Sequence, residues 1–315
     1  MASRQREELA ARVTLLYYEY QKNQNEIANE LGISRSYVSQ LLTFAKESGM
    51  VKITINIDSG YVKEAEFNKQ FPNLKHTYIM QSESEEYTTF NIGPFAAPHV
   101  SRLINSASAI GINLGRAVQS VIDCLDESDF KSNSNKTVAQ LMGGFSDGQS
   151  DAMMPGELVT RISKKIGSNC LYLNYPVIID NTELKSDLMK EKSLASIASF
   201  WKTLDLAIMG IGVVDDRSRI FSRLPKELKK ELLEENVCSE LTVNYFNENG
   251  LYKPVLINNK ISIPYEDLLK INNKVVIGHG YYKAKAILAG LRSGMINYLF
   301  TDSITVDEIE RLMSI

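Results

Sequence analysis

Residues 275–302 read VVIGHGYYKAKAILAGLRSGMINYLFTD. Val275, Val276 and Ile277 form a short apolar run that stops at Gly278-His279-Gly280. Ala284, Ile287, Leu288 and Leu291 then share one helical face, which ends before Gly294. A second run, 298–300, ends at Thr301-Asp302. Strand, glycine turn, one-faced helix and strand in this order spell a parallel βαβ unit, since parallel strands need a long crossover that a helix supplies.

The same grammar extends upstream. Run 108–112 precedes Asn113-Leu114-Gly115-Arg116, run 138–142 precedes Gly143-Gly144, and run 204–209 precedes Gly210-Ile211-Gly212. A helix is predicted from Pro155, suited to a first helical turn, to Gly167, suited to the left-handed exit. The polar stretch 126–136 reads as a surface loop. Residues 58–315 are thus expected to form an α/β domain with a mainly parallel sheet.

Residues 1–57 differ. Leu9, Val13, Leu16, Tyr17 and Tyr20 recur at helical spacing, and Gln21-Lys22-Asn23 breaks the pattern. Residues 24–45, QNEIANELGISRSYVSQLLTFA, then have the spacing of a helix-turn-helix. Ala28 is small where two helices would cross, Gly32 suits the turn, and Ile33, Val38 and Leu41 supply the seam. Ser34 is a natural N-cap for the second helix and Gly49 closes it. Val51, Ile53, Ile55 and Ile57 alternate with polar residues, predicting a half-buried strand over 51–57.

The second helix would present Arg35, Ser36, Tyr37, Ser39, Gln40 and Thr43 outward, with Ser34 at its start. Gln40 can bond adenine and Arg35 guanine or phosphate, while the serines and Tyr37 can donate to phosphate oxygens. Charge speaks for the alternative, a plain helical bundle. Residues 1–56 carry seven Lys/Arg against six Asp/Glu, and DNA binding draws much of its affinity from phosphate neutralisation. A module so weakly basic would need several copies on one DNA.

The whole chain has 315 residues and a formal net charge of −3, which excludes a basic coat over the full surface. Its three cysteines, Cys124, Cys170 and Cys238, are scattered, as are His76, His99 and His279, so no disulfide framework or metal site is expected. The sequence has no apolar run of membrane-spanning length and no signal peptide at its start; a cytoplasmic protein without membrane contact is expected.

In parallel α/β sheets ligands sit beyond the carboxyl ends of the strands, where glycine exposes backbone N–H groups and a helix N-terminus adds positive potential. The 113–116 turn, with its arginine, is the most phosphate-like, and Lys283 follows the Gly278–Gly280 turn. An anionic, phosphorylated small molecule fits this pattern. So does plain chain reversal, since Gly210-Ile211-Gly212 lacks the third glycine of a dinucleotide fingerprint. An enzyme would draw on Asp205, Asp215, Asp216, Glu240, His279 or Asp302, all near predicted strand ends, for acid–base isomerisation of a sugar phosphate.

Segments 24–45, 111–118, 138–144, 204–212, 240–250 and 278–302, in this order, resemble the SorC family of bacterial sugar-binding transcriptional regulators, over both domains. The resemblance implies a winged-helix-like N-terminal domain. It also implies a C-terminal fold like that of glucosamine-6-phosphate deaminase, ribose-5-phosphate isomerase and CoA transferases. It implies operator DNA as partner, a phosphorylated sugar or related effector, assembly as homodimer or homotetramer, no cofactor and no catalysis. By position, Asn113, Gly115, Arg116 and Ala117 would face phosphate, Gly143 with Gly144 and Gly210 with Gly212 would form further walls, Glu240 would accept sugar hydroxyls, and Lys283 would meet the polar end, with His279 a further contact. Leu114, Ala117, Asn236 and His279 depart from the family pattern, which bears on which effector fits. Control of a carbohydrate operon is the function implied; a sugar-phosphate isomerase or deaminase with an accessory helical domain is the alternative.

Overall fold

The computed structural model describes residues 2–51, 59–130, 135–145 and 155–314. The chain divides into two compact units, 1–57 and 58–315.

The first unit contains α1 (Ala2–Tyr18), α2 (Gln24–Leu31) and α3 (Arg35–Glu47). Asn23 starts α2 with a capping box: its side chain accepts from the Asn25 and Glu26 amides, and Glu26 reaches back to the Asn23 amide. Gly32 ends α2 at φ 66°, a left-handed turn that glycine adopts without strain. Two residues later the Ser34 hydroxyl accepts from the Tyr37 amide and opens α3. Ala10, Val13, Leu16, Ile27, Ala28, Val38, Leu41 and Leu42 close the core between the three helices. Tyr20 does not belong to the apolar face of α1: it lies past the helix end and is 64% exposed. The strand expected over 51–57 falls, beyond residue 51, outside the described residues.

The second unit runs α4 (Ser59–Lys69), β1 (His76–Met80), α5 (Glu85–Ser106), β2 (Ala109–Ile112), α6 (Arg116–Cys124), β3 (Thr137–Gln140), α7 (Pro155–Ile166) and β4 (Asn169–Leu171). After α8 (Thr182–Leu188) and α9 (Lys192–Trp201) come β5 (Leu206–Gly210), β6 (Gly212–Val213), α10 (Arg219–Arg223), α11 (Lys226–Glu234) and β7 (Val237–Leu241). The unit closes with β8 (Asn244–Asn247), β9 (Tyr252–Lys253), α12 (Tyr265–Lys270), β10 (Asn273–Ile277), α13 (Ala284–Arg292), β11 (Tyr298–Asp302) and α14 (Ser303–Met313).

Seven strands form one sheet in the order β1-β11-β10-β5-β2-β3-β4, all pairs parallel. Both faces are covered. Ala207, Met209, Val276 and Leu299 point into one apolar cluster with α9, α13 and α14, while Leu206, Ile208, Val275, Ile277 and Phe300 point into the other with α5, α6 and α7. Strands buried on both faces read as continuous apolar runs, which is why the central ones stand out in the sequence. The edge strands β1 and β4, with half-polar sequences, do not.

A second sheet, β6-β7-β8-β9, is antiparallel. The pattern of Gly210-Ile211-Gly212 predicts a turn into a helix. Instead the chain continues into β6, where Gly212 pairs with Glu240. That pairing joins residues distant in sequence and leaves no local periodicity to read. No helix among the described residues is long and apolar enough to cross a membrane.

Candidate functional site

In the first unit Ser34, Arg35, Ser36, Ser39, Gln40 and Thr43 are all exposed on α3, and Tyr37 is half-buried. They share the side of α3 away from Val38, Leu41 and Leu42, which face the core. Two hydroxyls are already engaged: Ser34 caps the helix, and Thr43 Oγ1 donates to the Ser39 carbonyl at 3.1 Å. Arg35, Ser36, Ser39 and Gln40 therefore carry the adaptable donors of this face.

In the second unit a cavity of about 230 Å³ opens beyond the carboxyl ends of β2, β5 and β10. Asn113, Gly115, Arg116, Ala117, Gly210, Gly212, Glu240, His279 and Lys283 all line it. Buried Asn113 fixes the turn after β2: its amide donates to the Ile208 carbonyl, and its Oδ1 accepts from the Leu114 amide at 2.7 Å. Gly115 then opens α6, so the first amides of that helix point outward with Arg116 beside them. Gly210 lies opposite: a Cβ built on Gly115 would sit 3.6 Å from the Gly210 Cα.

Gly212 serves a different contact. A Cβ there would lie 2.4 Å from Glu240 Oε2, so glycine is what lets the Glu240 side chain cross β6 towards the cavity. Glu240 is almost fully buried, and its other oxygen, Oε1, accepts from the Val243 amide. Burial pushes its carboxyl well above the usual carboxylate range, opposed by the Val243 amide and by Lys260 and Lys283. Tyr245 stands opposite Glu240 in the β7–β8 register, and its buried hydroxyl has no hydrogen-bond partner among the described residues.

Lys283 is pulled down to about 8, by burial first and then by the nearby Arg116 guanidinium. Arg116 and Lys283 thus repel each other across the cavity, while Glu240 and Glu85 oppose that effect more weakly. His279 is pulled down to about 4 by burial, then by Lys283, with Asp302 opposing. Its Nδ1 is buried without a hydrogen-bond partner among the described residues.

Gly143 and Gly144 do not line the cavity. The Gly143 amide donates to the Ile261 carbonyl and the Gly144 amide to the Tyr175 carbonyl. A Cβ on Gly143 would meet the Tyr175 carbonyl oxygen at 2.4 Å. The glycine at 143 thus serves close backbone packing.

Part of the rim has almost no sequence signal: Glu85 and Thr89 from α5, Tyr282, the loop residues Arg217 and Ser218, and Arg219 at the start of α10. Arg217 grips Asp215 with two nitrogens, at 3.0 and 2.6 Å, and lies 4.7 Å over the Tyr282 ring. Arg217 two residues after Asp215, straight after a glycine-ended strand, was the one local sign. α5 carried none, because it reaches the site from a distant part of the chain.

Of the six groups considered for acid–base chemistry, only Glu240 and His279 reach the cavity. Asp205 lies at the opposite end of β5, accepting the Ser108 and Ala109 amides. Asp215 is held by Arg217, whose hydrogen bond keeps its carboxyl low, and Asp216 pairs with Lys229. Asp302 caps α14. Burial pushes the Cys238 thiol up to about 11, leaving little thiolate for nucleophilic attack. No group of three or more potential metal ligands occurs among the described residues.

The family described as "Putative sugar-binding domain" matches residues 61–310, and Sigma-70 region 4 matches residues 4–47. The chain belongs to the SorC family of sugar-binding transcriptional regulators. It is 27% identical over 307 residues to the sorbitol operon regulator of Klebsiella pneumoniae, covering 95% of this chain and 96% of that regulator. It is 24% identical over 313 residues to the deoxyribonucleoside regulator of Bacillus subtilis, covering 96% and 97%. The crystal structure of the full-length sorbitol operon regulator SorC from K. pneumoniae superimposes with a TM-score of 0.75 at 25% identity, covering 96% of this chain and 98% of that one. The SorC-family relatives named here are regulators of transcription, and this chain carries the same pairing of a helix-turn-helix with an α/β domain.

Proposed function

We propose that this SorC-family regulator binds operator DNA through α3 and is controlled by a phosphorylated sugar or a closely related metabolite held in the cavity of its second unit. The observation that carries the effector reading is the convergence of Arg116 and Lys283 on one cavity, at the N-terminus of α6, where burial and the Arg116 charge outweigh the pull of Glu240 and Glu85 on Lys283. Two like charges kept close are stabilised by an anion between them, and the opening amides of α6 add donors suited to phosphate oxygens. Glu240, across the cavity, is an acceptor for hydroxyl groups. Sugar-operon names among the relatives support the same class of ligand.

On DNA, Gln40 and Arg35 read base edges, and Ser34, Ser36, Tyr37 and Ser39 hold phosphates, with Thr43 on the same face. The near-neutral charge of residues 1–56 makes a homodimer or homotetramer, with several α3 helices on one operator, the natural working form. The ligand acts by favouring one arrangement of the assembly, since only differential affinity for two states shifts an equilibrium.

The test is a thermal-shift screen of the full chain against sugar phosphates, followed by gel-shift titration with the best ligand. A ligand raising the melting temperature, lost in Arg116→Ala and Lys283→Ala, is the expected result. The presence of Glu240 and His279 in one cavity favours a second reading, acid–base turnover of a sugar phosphate. Product formation by wild type, abolished in Glu240→Gln, would establish it in place of the first.

A further inference from the structure

The turn between β7 and β8 is strained. Leu241 pairs with Asn244, leaving Thr242 and Val243 as a two-residue loop with φ of 53° and 61°. Such a turn ordinarily takes Asn-Gly, because positive φ is costly for a β-branched residue. A strained turn persists only where its surroundings over-determine it. Here the determinant is Lys260, a lysine only 5% exposed. Its Nζ donates to the Val243 carbonyl at 2.7 Å and to Asn244 Oδ1 at 2.5 Å. Asn244 Nδ2 in turn donates to Thr242 Oγ1 at 3.1 Å and to the Ile263 carbonyl at 3.1 Å. The group that the locked turn presents is the Val243 amide, which holds Glu240 Oε1.

We infer that Lys260 is a positioning residue for effector specificity: by fixing the Thr242–Val243 turn it fixes Glu240 and so selects ligands that carry a hydroxyl where Glu240 can accept it. The inference rests on the effector reading above. Lys260 itself does not line the cavity; it acts through the turn. Without its ammonium, the Val243 carbonyl and Asn244 Oδ1 lose a buried donor, the turn relaxes, and the Val243 amide leaves Glu240. Glu240 also loses one of the two cations that oppose the effect of its burial, the other being Lys283 within the cavity. The anion end, built from residues 113–116 and Lys283, belongs to other elements and is untouched.

The experiment measures dissociation constants of the full chain for inorganic phosphate and for ribose 5-phosphate, fructose 6-phosphate and sorbitol 6-phosphate, in wild type, Lys260→Met and Asn244→Ala. In Lys260→Met the tightest sugar phosphate of wild type weakens about tenfold, the loss of roughly one hydrogen bond to a charged group, while inorganic phosphate stays within about twofold. Asn244→Ala, which breaks the same lock but keeps the cation, shows the same split, and it carries the test alone if Lys260→Met does not fold. Parallel weakening of both ligand types would mean general loosening and would overturn the inference, as would unchanged binding of both. Wild type that binds inorganic phosphate but gains nothing from any sugar also overturns it and leaves the anion site standing. Wild type that binds none of the four refutes the effector reading and this inference with it.

Discussion

The face of α3 and the cavity of the second unit are built in opposite ways. The α3 face comes from one continuous helix, with donors a few residues apart on an exposed side, and its scaffold is local: one capping box, one glycine turn and one capping serine. The cavity draws on α5, the turn after β2, the ends of β5 and β10, the loop after β6, and β7. Its scaffold is the sheet order itself. A surface of the first kind should lose side chains one at a time without harm to the fold. A site of the second kind should be sensitive to residues that never touch the ligand.

The sharpest way to break this contrast is Gly143→Ala, well away from the cavity. Its Cβ would strike a backbone carbonyl, which cannot move aside as a flexible side chain can. A loss of about 1–3 kcal/mol is expected from overpacking, read as a lower denaturation midpoint. If the midpoint holds while sugar-phosphate affinity falls, Gly143 belongs to the ligand wall after all. On the α3 side, Arg35→Ala and Gln40→Ala should each weaken operator binding by roughly 1–3 kcal/mol, with oligomeric state and ligand-induced melting shifts unchanged. Unchanged gel-shift titration at fixed salt would remove these residues from the interface.

Acid should also separate the two regions. His279 is held neutral, its folded pKa near 4 lying below its ordinary value of about 6.5. The folded state therefore binds fewer protons than the unfolded chain between these values. The stability His279 contributes is whole above about pH 6.5 and is lost as pH falls through about 4. With its partial exposure allowed for, this is on the order of 2 kcal/mol. In His279→Asn, the fall in stability between pH 6.5 and 4 should be shallower by that amount; an identical slope would show that the imidazole is solvated. The smallest effect is expected from Ser34→Ala, about 1 kcal/mol for a lost N-cap, seen as a lower melting temperature of the first unit with the cavity's ligand affinity intact.

The same contrast governs what could be read in advance. Gln24 to Ala45 announced itself because caps, turn and seam are all local. The 113–116 turn was legible for the same reason: a buried strand, an asparagine, a glycine and an arginine follow one another. Glu240 is legible as one of several acids near strand ends, and the resemblance alone singles it out; its route to the cavity across Gly212 depends on an antiparallel pairing that no period reveals. Gly143 resembles the other strand-end glycines in sequence pattern but serves packing, because glycine after a strand answers two different needs alike. Arg217, Tyr282 and the α5 residues Glu85 and Thr89 arrive at the rim only through the fold.

By itself, then, the sequence determined the helix-turn-helix, the buried parallel strands and the glycine turn after β2, because hydrophobic period, capping and turn chemistry act over a few residues. The tertiary structure decided which strand ends share a cavity, which acids are spent on caps and ion pairs, and how a buried lysine holds a strained turn behind Glu240. Those outcomes depend on strand order and on burial, and burial sets the cost of every charge by what surrounds it in space.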